Sequence, residues 1–216
     1  MQRLALFDLD DTLIDRRHAL EATVARFARC HGLGAEEHNT VLALLAERAS
    51  VPDFTAIREL LGLTTPADGL WEDYLADMAA FSVCPVDVLA GLDELKLRGW
   101  RIGIATNGSA DIQRAKLAST GIADRVHAVC VSAEVGFRKP DPRLFAAAAV
   151  SCGAAPEDGG WMVGNDPFKD ISGGRSAGLT TVWISGASRW PAALPAPDRT
   201  APTALAAIRL LLAHTP

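Results

Sequence analysis

Five short runs of branched, aromatic or otherwise apolar residues, at 4–7, 101–105, 126–131, 161–163 and 181–184, recur along the chain, and each is too short for a helix. Several are apolar throughout rather than alternating, which predicts strands covered on both faces of a parallel sheet. Helix-length segments separate them. Val88, Leu89, Leu92 and Leu95 precede Gly99; Ile112, Ala115 and Leu117 precede Gly121. Pro142 suits the first turn of a helix that continues through Leu144, Phe145 and Val150, and residues 174–178 read as a short helical turn. This alternation predicts an α/β fold built on a doubly wound parallel sheet.

Residues 15–84 break the rhythm. They hold no convincing strand and read as four helices, at 19–30 ending at Gly32, 35–49, 54–61 ending at Gly62, and 70–80. Leu20, Val24 and Phe27, or Leu70, Tyr74, Leu75 and Met78, fall at helical spacing. The expected organisation is an α/β core from 1–14 and 85–216, with an α-helical insertion at 15–84 and Cys84-Pro85 as the return link. Pro191, Pro195, Pro197 and Pro202 mark a segment expected to be irregular, before a closing helix at 204–212.

With 216 residues and 49% hydrophobic content, the chain can bury a substantial core. A net charge of −5 and no run of Lys or Arg longer than two residues provide no basic face, so nucleic acid is not an expected partner. No apolar run approaches the length of a membrane span, and an acid at position 8 leaves no room for a signal peptide's apolar region. A cytoplasmic location is expected. Cys30, Cys84, Cys130 and Cys152 lie far apart and read as buried, reduced thiols rather than as disulfides or zinc ligands. The five histidines show no metal-ligand spacing.

In an open parallel sheet ligands bind at the carboxyl ends of the strands, so the residues that follow each apolar run carry the functional information. Asp8 and Asp10 follow the first. Two positions apart on extended chain, they point to one side, where they can hold a divalent cation or divide the roles of nucleophile and acid/base. Their neighbours Asp11 and Asp15 read as turn and capping residues. Thr106-Asn107-Gly108 follows the second run and offers a hydroxyl and successive N–H groups to an anion. A long loop after the third delivers Lys139, and Gly164-Asn165-Asp166-Pro167-Phe168-Lys169-Asp170 follows the fourth. Each set alone has a plain structural reading: a capped turn, a solvated lysine, a helix start. Together, at consecutive strand ends, they describe a phosphoryl-transfer site, because a carboxylate reaches phosphorus only when Mg²⁺ and an ammonium screen the dianion.

These four segments, Asp8-Leu9-Asp10-Asp11-Thr12-Leu13, Thr106-Asn107-Gly108, Lys139-Pro140-Asp141-Pro142 and Gly164 to Asp170, resemble in order the motifs of the haloacid dehalogenase-like (HAD) hydrolase superfamily. The resemblance spans the chain and implies a Rossmann-like core, with the insertion similar to that superfamily's type 1 cap. It implies Asp8 as nucleophile, forming an aspartyl phosphate, and Asp10 as the acid and base, with its backbone carbonyl also reaching the metal. By the same resemblance Thr106 and Asn107 bind the phosphoryl group and Lys139 neutralises charge. The cofactor implied is Mg²⁺, with Asp8, Asp10 and either Asn165 or Asp166 as ligands and Asp170 supporting from behind. The family pattern places Asp directly after the glycine, where this chain has Asn165. Counting from Gly164 selects Asn165, counting back from Asp170 selects Asp166, and the first count needs no gap.

The expected activity is Mg²⁺-dependent hydrolysis of a small phosphorylated metabolite, a phosphate monoester. A haloacid dehalogenase would have no use for an acid at Asp10, a phosphomutase would share every catalytic group, and a non-catalytic binding protein would have no need to keep them together. Arg16, Arg17, His18 and Arg58 are candidate substrate contacts from the insertion. Phe54, Trp71 and Tyr74 fall at helical spacing and are expected in its own core.

Overall fold

The computed structural model describes residues 2–47 and 49–214. Six parallel strands, β1 (Leu4–Phe7), β2 (Arg101–Thr106), β3 (Ala128–Val131), β4 (Trp161–Gly164), β5 (Thr180–Ile184) and β6 (Arg199–Ala201), form one sheet in the order β3-β2-β1-β4-β5-β6. The chain builds outwards from β1 through β2 to β3, then returns to lay β4 against the other edge of β1. That reversal between β1 and β4 is the switch point at which doubly wound sheets open a crevice for ligands. Every residue of β1 is completely buried, which accounts for its unbroken apolar sequence.

The helices are α1 (Arg16–His31), α2 (Ala35–Leu45), α3 (Val51–Leu61), α4 (Ala67–Phe81) and α5 (Val86–Leu97), followed by α6 (Ala110–Thr120), α7 (Ser132–Val135), α8 (Pro142–Ser151), α9 (Gly173–Ser176) and α10 (Ala204–Ala213). The described residues divide into two compact units, one drawn from 1–14, 84–110 and 121–216 and the other from 15–83 and 111–120. In the sheet unit Leu4, Leu6, Ala105, Cys130 and Met162 pack with Leu144, Phe145, Ala148 and Ala149 of α8. Helices α5 and α10 pair with each other, and Gly91 lets them approach until a Cβ there would stand 2.9 Å from Ile208.

In the helical unit Leu20, Val24, Phe27, Val41, Leu45, Phe54, Ile57, Leu70, Trp71, Tyr74 and Met78 form one apolar core. The rings of Phe54, Trp71 and Tyr74 lie 5.1–5.7 Å apart within it. Asp15 caps α1 by accepting from the His18 N–H at 2.9 Å. Residues 111–120 group with this unit although the apolar pattern assigns them to the core segment 85–216. Three contacts account for it: Ile112 enters the helical core, the Trp71 indole donates to Asp111 at 3.2 Å, and the Ser119 hydroxyl donates to the Ala79 carbonyl at 2.7 Å.

Four local expectations need correction. Helix α2 stops at Leu45 rather than at 49. Strand β6 lies in the segment expected to be irregular: it fits between Pro197 and Pro202 as a three-residue edge strand, and the Asp198 carboxylate anchors it by accepting from Thr181 N–H and Oγ1 at 2.9 and 2.7 Å. A π-helical turn, Pro167–Ser172, precedes α9 where only a short helix was read. Cys30 is exposed, since it lies in the last turn of α1 beyond Phe27 and Ala28, where the buried part of that helix ends, whereas the other three cysteines are buried. Among the described residues no single helix is long and apolar enough to cross a membrane.

Gly103 faces Leu6 in the β1–β2 register, and a Cβ built on it would stand 2.6 Å from Cys152 Sγ and 2.9 Å from Leu6 Cδ2. Gly103→Ala is therefore expected to destabilise the protein by about 1–3 kcal/mol through overpacking. Chemical denaturation is the check, and an unchanged midpoint would mean that Cys152 and Leu6 yield freely.

Candidate active site

The site begins where β1 ends. The Asp8 N–H donates to the Val163 carbonyl at 2.9 Å, extending the β1–β4 pairing one residue past the strand. The Leu9 carbonyl then accepts from the N–H groups of Thr12, Leu13 and Ile14 at 3.3, 3.0 and 3.2 Å, and Asp11 takes a left-handed φ of 57°. The chain thus turns back sharply. Asp8 is buried, Asp10 is half-buried, and the Thr12 hydroxyl comes 3.3 Å from Asp8 Oδ2 and 3.2 Å from Asn165 Oδ1. A hydroxyl has one proton, so Thr12 donates to one of these oxygens at a time and holds both residues within reach of one point.

Lys139 arrives from the loop after β3. Its ammonium lies 2.5 Å from Asp8 Oδ1 and 2.7 Å from Asp170 Oδ1, and all three residues are buried. Asn107 sets its backbone: the side-chain amide of Asn107 donates to the Lys139 carbonyl at 3.0 Å and accepts from the Lys139 N–H at 2.9 Å. Ser132 ties the same two loops, its hydroxyl accepting from the Gly108 N–H at 3.1 Å. Thr106 is buried as the last residue of β2.

The loop after β4 separates the two candidate ligand positions. Asn165 turns its side-chain oxygen towards the Thr12 hydroxyl, which also approaches Asp8. Asp166 instead caps the π-helical turn, its Oδ1 accepting from Phe168 and Lys169 N–H groups at 2.9 and 2.8 Å while Oδ2 pairs with Lys169 Nζ at 3.0 Å. Those hydrogen bonds and that ion pair outweigh the effect of burial and hold the Asp166 carboxyl below the usual carboxylate range. Asp170 is completely buried, and its second oxygen accepts from the Asp166 N–H at 2.9 Å. Glycine is required at 164 because a Cβ there would overlap the Asp170 carboxylate at 2.4 Å.

Two carboxylates share one ammonium in this buried cluster, and its titration reflects the imbalance. Burial pushes the Asp8 carboxyl up to about 7; Asp170 and Asp10 add to the rise, and Lys139 pulls against it. Burial alone would depress the Lys139 ammonium, but Asp170 and Asp8 outweigh it and hold the lysine above its ordinary value, so it stays charged. A buried carboxylate with an uncompensated neighbour is poised for a cation or for reaction with an electrophile.

Of the residues singled out from the sequence, Asp8, Lys139 and Asp170 meet directly, and Asn165 joins them through Thr12. The carboxylate of Asp166 has other partners. Thr12, Ser132 and the side-chain role of Asn107 are additions. Thr12 stands within the first motif, four residues after Asp8, and that spacing is the one signal that could have found it. In the helical unit Arg16 donates to the carbonyls of Ala46 and Leu45 at 2.6 and 3.1 Å, securing the end of α2, while Arg17 and His18 are exposed. Arg58 Nε is buried in α3 and has no hydrogen-bond partner among the described residues.

The chain is 34% identical to a phosphoserine phosphatase of Thermus thermophilus over 84% of this chain and 88% of that protein. It is 29% identical to a glyceraldehyde 3-phosphate phosphatase of Methanothermobacter thermautotrophicus over 86% of each. Among solved structures, a HAD phosphatase from Thermococcus onnurineus superposes with a TM-score of 0.70 at 26% identity, covering 98% of both chains. The family described as haloacid dehalogenase-like hydrolase matches residues 2–178, which include the carboxyl ends of β1, β2, β3 and β4, and the chain belongs to that family.

Proposed function

We propose that this protein is a Mg²⁺-dependent phosphatase that hydrolyses a small-molecule phosphate monoester through an aspartyl phosphate on Asp8. The observation that carries this reading is the buried Asp8 carboxylate at the switch point, held at Oδ1 by Lys139 and approached at Oδ2 by Thr12. Relatives named for phosphoserine and glyceraldehyde 3-phosphate support a small phosphorylated substrate.

Asp8 attacks phosphorus, and the bond from phosphorus to the ester oxygen breaks as Asp10 protonates that oxygen. Asp10 then takes a proton from the water that attacks the aspartyl phosphate, releasing inorganic phosphate and restoring Asp8. Thr106 and the Asn107 N–H donate to the phosphoryl oxygens, and Lys139 neutralises charge shared by Asp8 and the phosphoryl group. The helical unit serves as a type 1 cap that governs substrate choice.

The residues present fit Mg²⁺. Among the described residues no three His, Cys, Asp or Glu side chains gather at metal-ligating geometry, so an all-acid cage is not what the chain offers. The Asp8 carboxylate, the Asp10 backbone carbonyl and one amide oxygen form the sparse oxygen set that Mg²⁺ accepts while keeping its waters. Asn165 is the residue of the fourth segment for this role, since Asp166 is engaged as a cap and in an ion pair. Bound there, Mg²⁺ would supply the positive charge that the Asp8–Asp170–Lys139 cluster lacks and would screen the phosphate dianion.

Phosphate release measured over sugar phosphates, nucleotides and small organic acid phosphates should show turnover only with Mg²⁺; no turnover on any of them would sink the phosphatase reading. Asp8→Asn should cut turnover by about a thousandfold or more while the circular dichroism spectrum stays native, because an amide is not a competent nucleophile. Substantial residual hydrolysis would place the nucleophile elsewhere. Asn165→Asp should lower the Mg²⁺ concentration for half-maximal activity by about tenfold through its added charge, and Asp166→Asn should leave it unchanged. The reverse pattern would make Asp166 the ligand.

A further inference from the structure

We infer that Trp183 is a positioning residue for Asn165, fixing the orientation in which the amide presents its oxygen to a cation; this rests on the Mg²⁺ reading above. Trp183 is the penultimate residue of β5, faces Gly164 across the β4–β5 register, and is buried. Its indole N–H donates to the Asn165 backbone carbonyl at 2.9 Å. The other edge of the same peptide unit, the Asp166 N–H, donates to Asp170 Oδ2 at 2.9 Å. The 165–166 peptide plane is therefore clamped on both edges, by the indole on one side and by the carboxylate that also pairs with Lys139 on the other.

Such a clamp matters more for an amide than for an acid. A carboxylate offers two equivalent oxygens and a full charge, so a rotated side chain still presents a ligand. An amide presents one oxygen and, turned over, two N–H donors. With β4 fixing the chain through Gly164, a fixed 165–166 peptide plane fixes where the Asn165 Cα–Cβ bond points, and the Thr12 hydroxyl, 3.2 Å from Oδ1, favours the oxygen on that side when it donates there. Trp183 is itself held: the Trp190 ring meets it edge-on, with centroids 5.0 Å apart and planes at 76°, and the Trp190 indole donates to the Leu194 carbonyl at 3.1 Å. The proline-rich loop after β5 thereby gains a part in the site, bracing the indole that braces the ligand.

The test is Mg²⁺ binding to the substrate-free protein by isothermal titration calorimetry, with hydrogen exchange of the Asp166 amide followed by NMR. Trp183→Phe keeps the ring and removes the donor. It is expected to weaken Mg²⁺ binding by about tenfold and to speed exchange at Asp166. Trp161→Phe, at an equally buried indole on β4 whose ring meets His214, controls for general loss of stability and should bind Mg²⁺ as the wild type does. Unchanged Mg²⁺ affinity in Trp183→Phe, or equal losses in both variants, would overturn the inference. If Trp183→Phe does not fold, the half-buried Trp190→Ala decides: a smaller loss of affinity supports the brace and no loss overturns it. Wild-type protein that binds no Mg²⁺ overturns the metal reading itself, a result distinct from any difference between variants.

Discussion

The ammonium of Lys139, shared between Asp8 and Asp170, is the interaction on which the rest of the structure depends. Three charges are taken out of water together, and leaving any one of them without its partners would strand an uncompensated buried charge at a cost of about 3–5 kcal/mol. The protein accepts that risk because the geometry is over-determined. Asn107 holds both backbone groups of Lys139, and Gly164 makes room for Asp170. The remaining oxygen of Asp170 is occupied by the Asp166 N–H. The ammonium can neither withdraw to solvent nor choose a different carboxylate.

Sheet order makes this cluster possible. Asp8 and Lys139 are separated by 131 positions, yet both stand at the carboxyl edge because every strand runs the same way and β1 lies between β2 and β4. The strands fix only the starting point of each loop. From there side chains do the alignment, mostly by bonding to the backbone of a neighbouring loop: Asn107 to Lys139, Ser132 to Gly108, Trp183 to Asn165. Bonds of this kind set the loops against one another, which suits a reaction in which the reacting atoms must be placed closely.

The acids and the lysine were legible in the sequence because an unbroken apolar run announces a buried parallel strand, and the residue after it must lie at the ligand-binding edge. The residues that align them were not. Asn107 reads as part of a turn, and nothing local says that its amide closes on a backbone 32 positions away. Trp183 reads as one more apolar strand residue. Residues 111–120 carry a helical pattern that their place in the chain assigns to the core segment, and contacts with Trp71 and Ala79, far off in the chain, group them with the helical unit instead. Strand β6 was hidden by its proline neighbours, since propensity says little about three residues whose pairing is set by an Asp198 cap. Asp166 reads as one more acid at a strand end, and nothing local says that its carboxylate accepts from the Phe168 and Lys169 N–H groups.

An amide at position 165 is also consistent with the charge already present. Asp8 and Asp170 already share one ammonium, and burial, with Asp170 and Asp10 adding to it against the pull of Lys139, holds the Asp8 carboxyl up at about 7 before a further acid is considered. A carboxylate in place of Asn165 would sit beside Asp8 across the single Thr12 hydroxyl, raising the electrostatic cost of the cation-free fold. On the proposed Mg²⁺ reading an amide gives up attraction for the cation and avoids that repulsion, and the orientation of its one oxygen then has to be fixed by neighbours. That exchange of charge for geometry gives a physical reason for a tryptophan, a threonine and a buried aspartate to converge on a single peptide unit and its side chain.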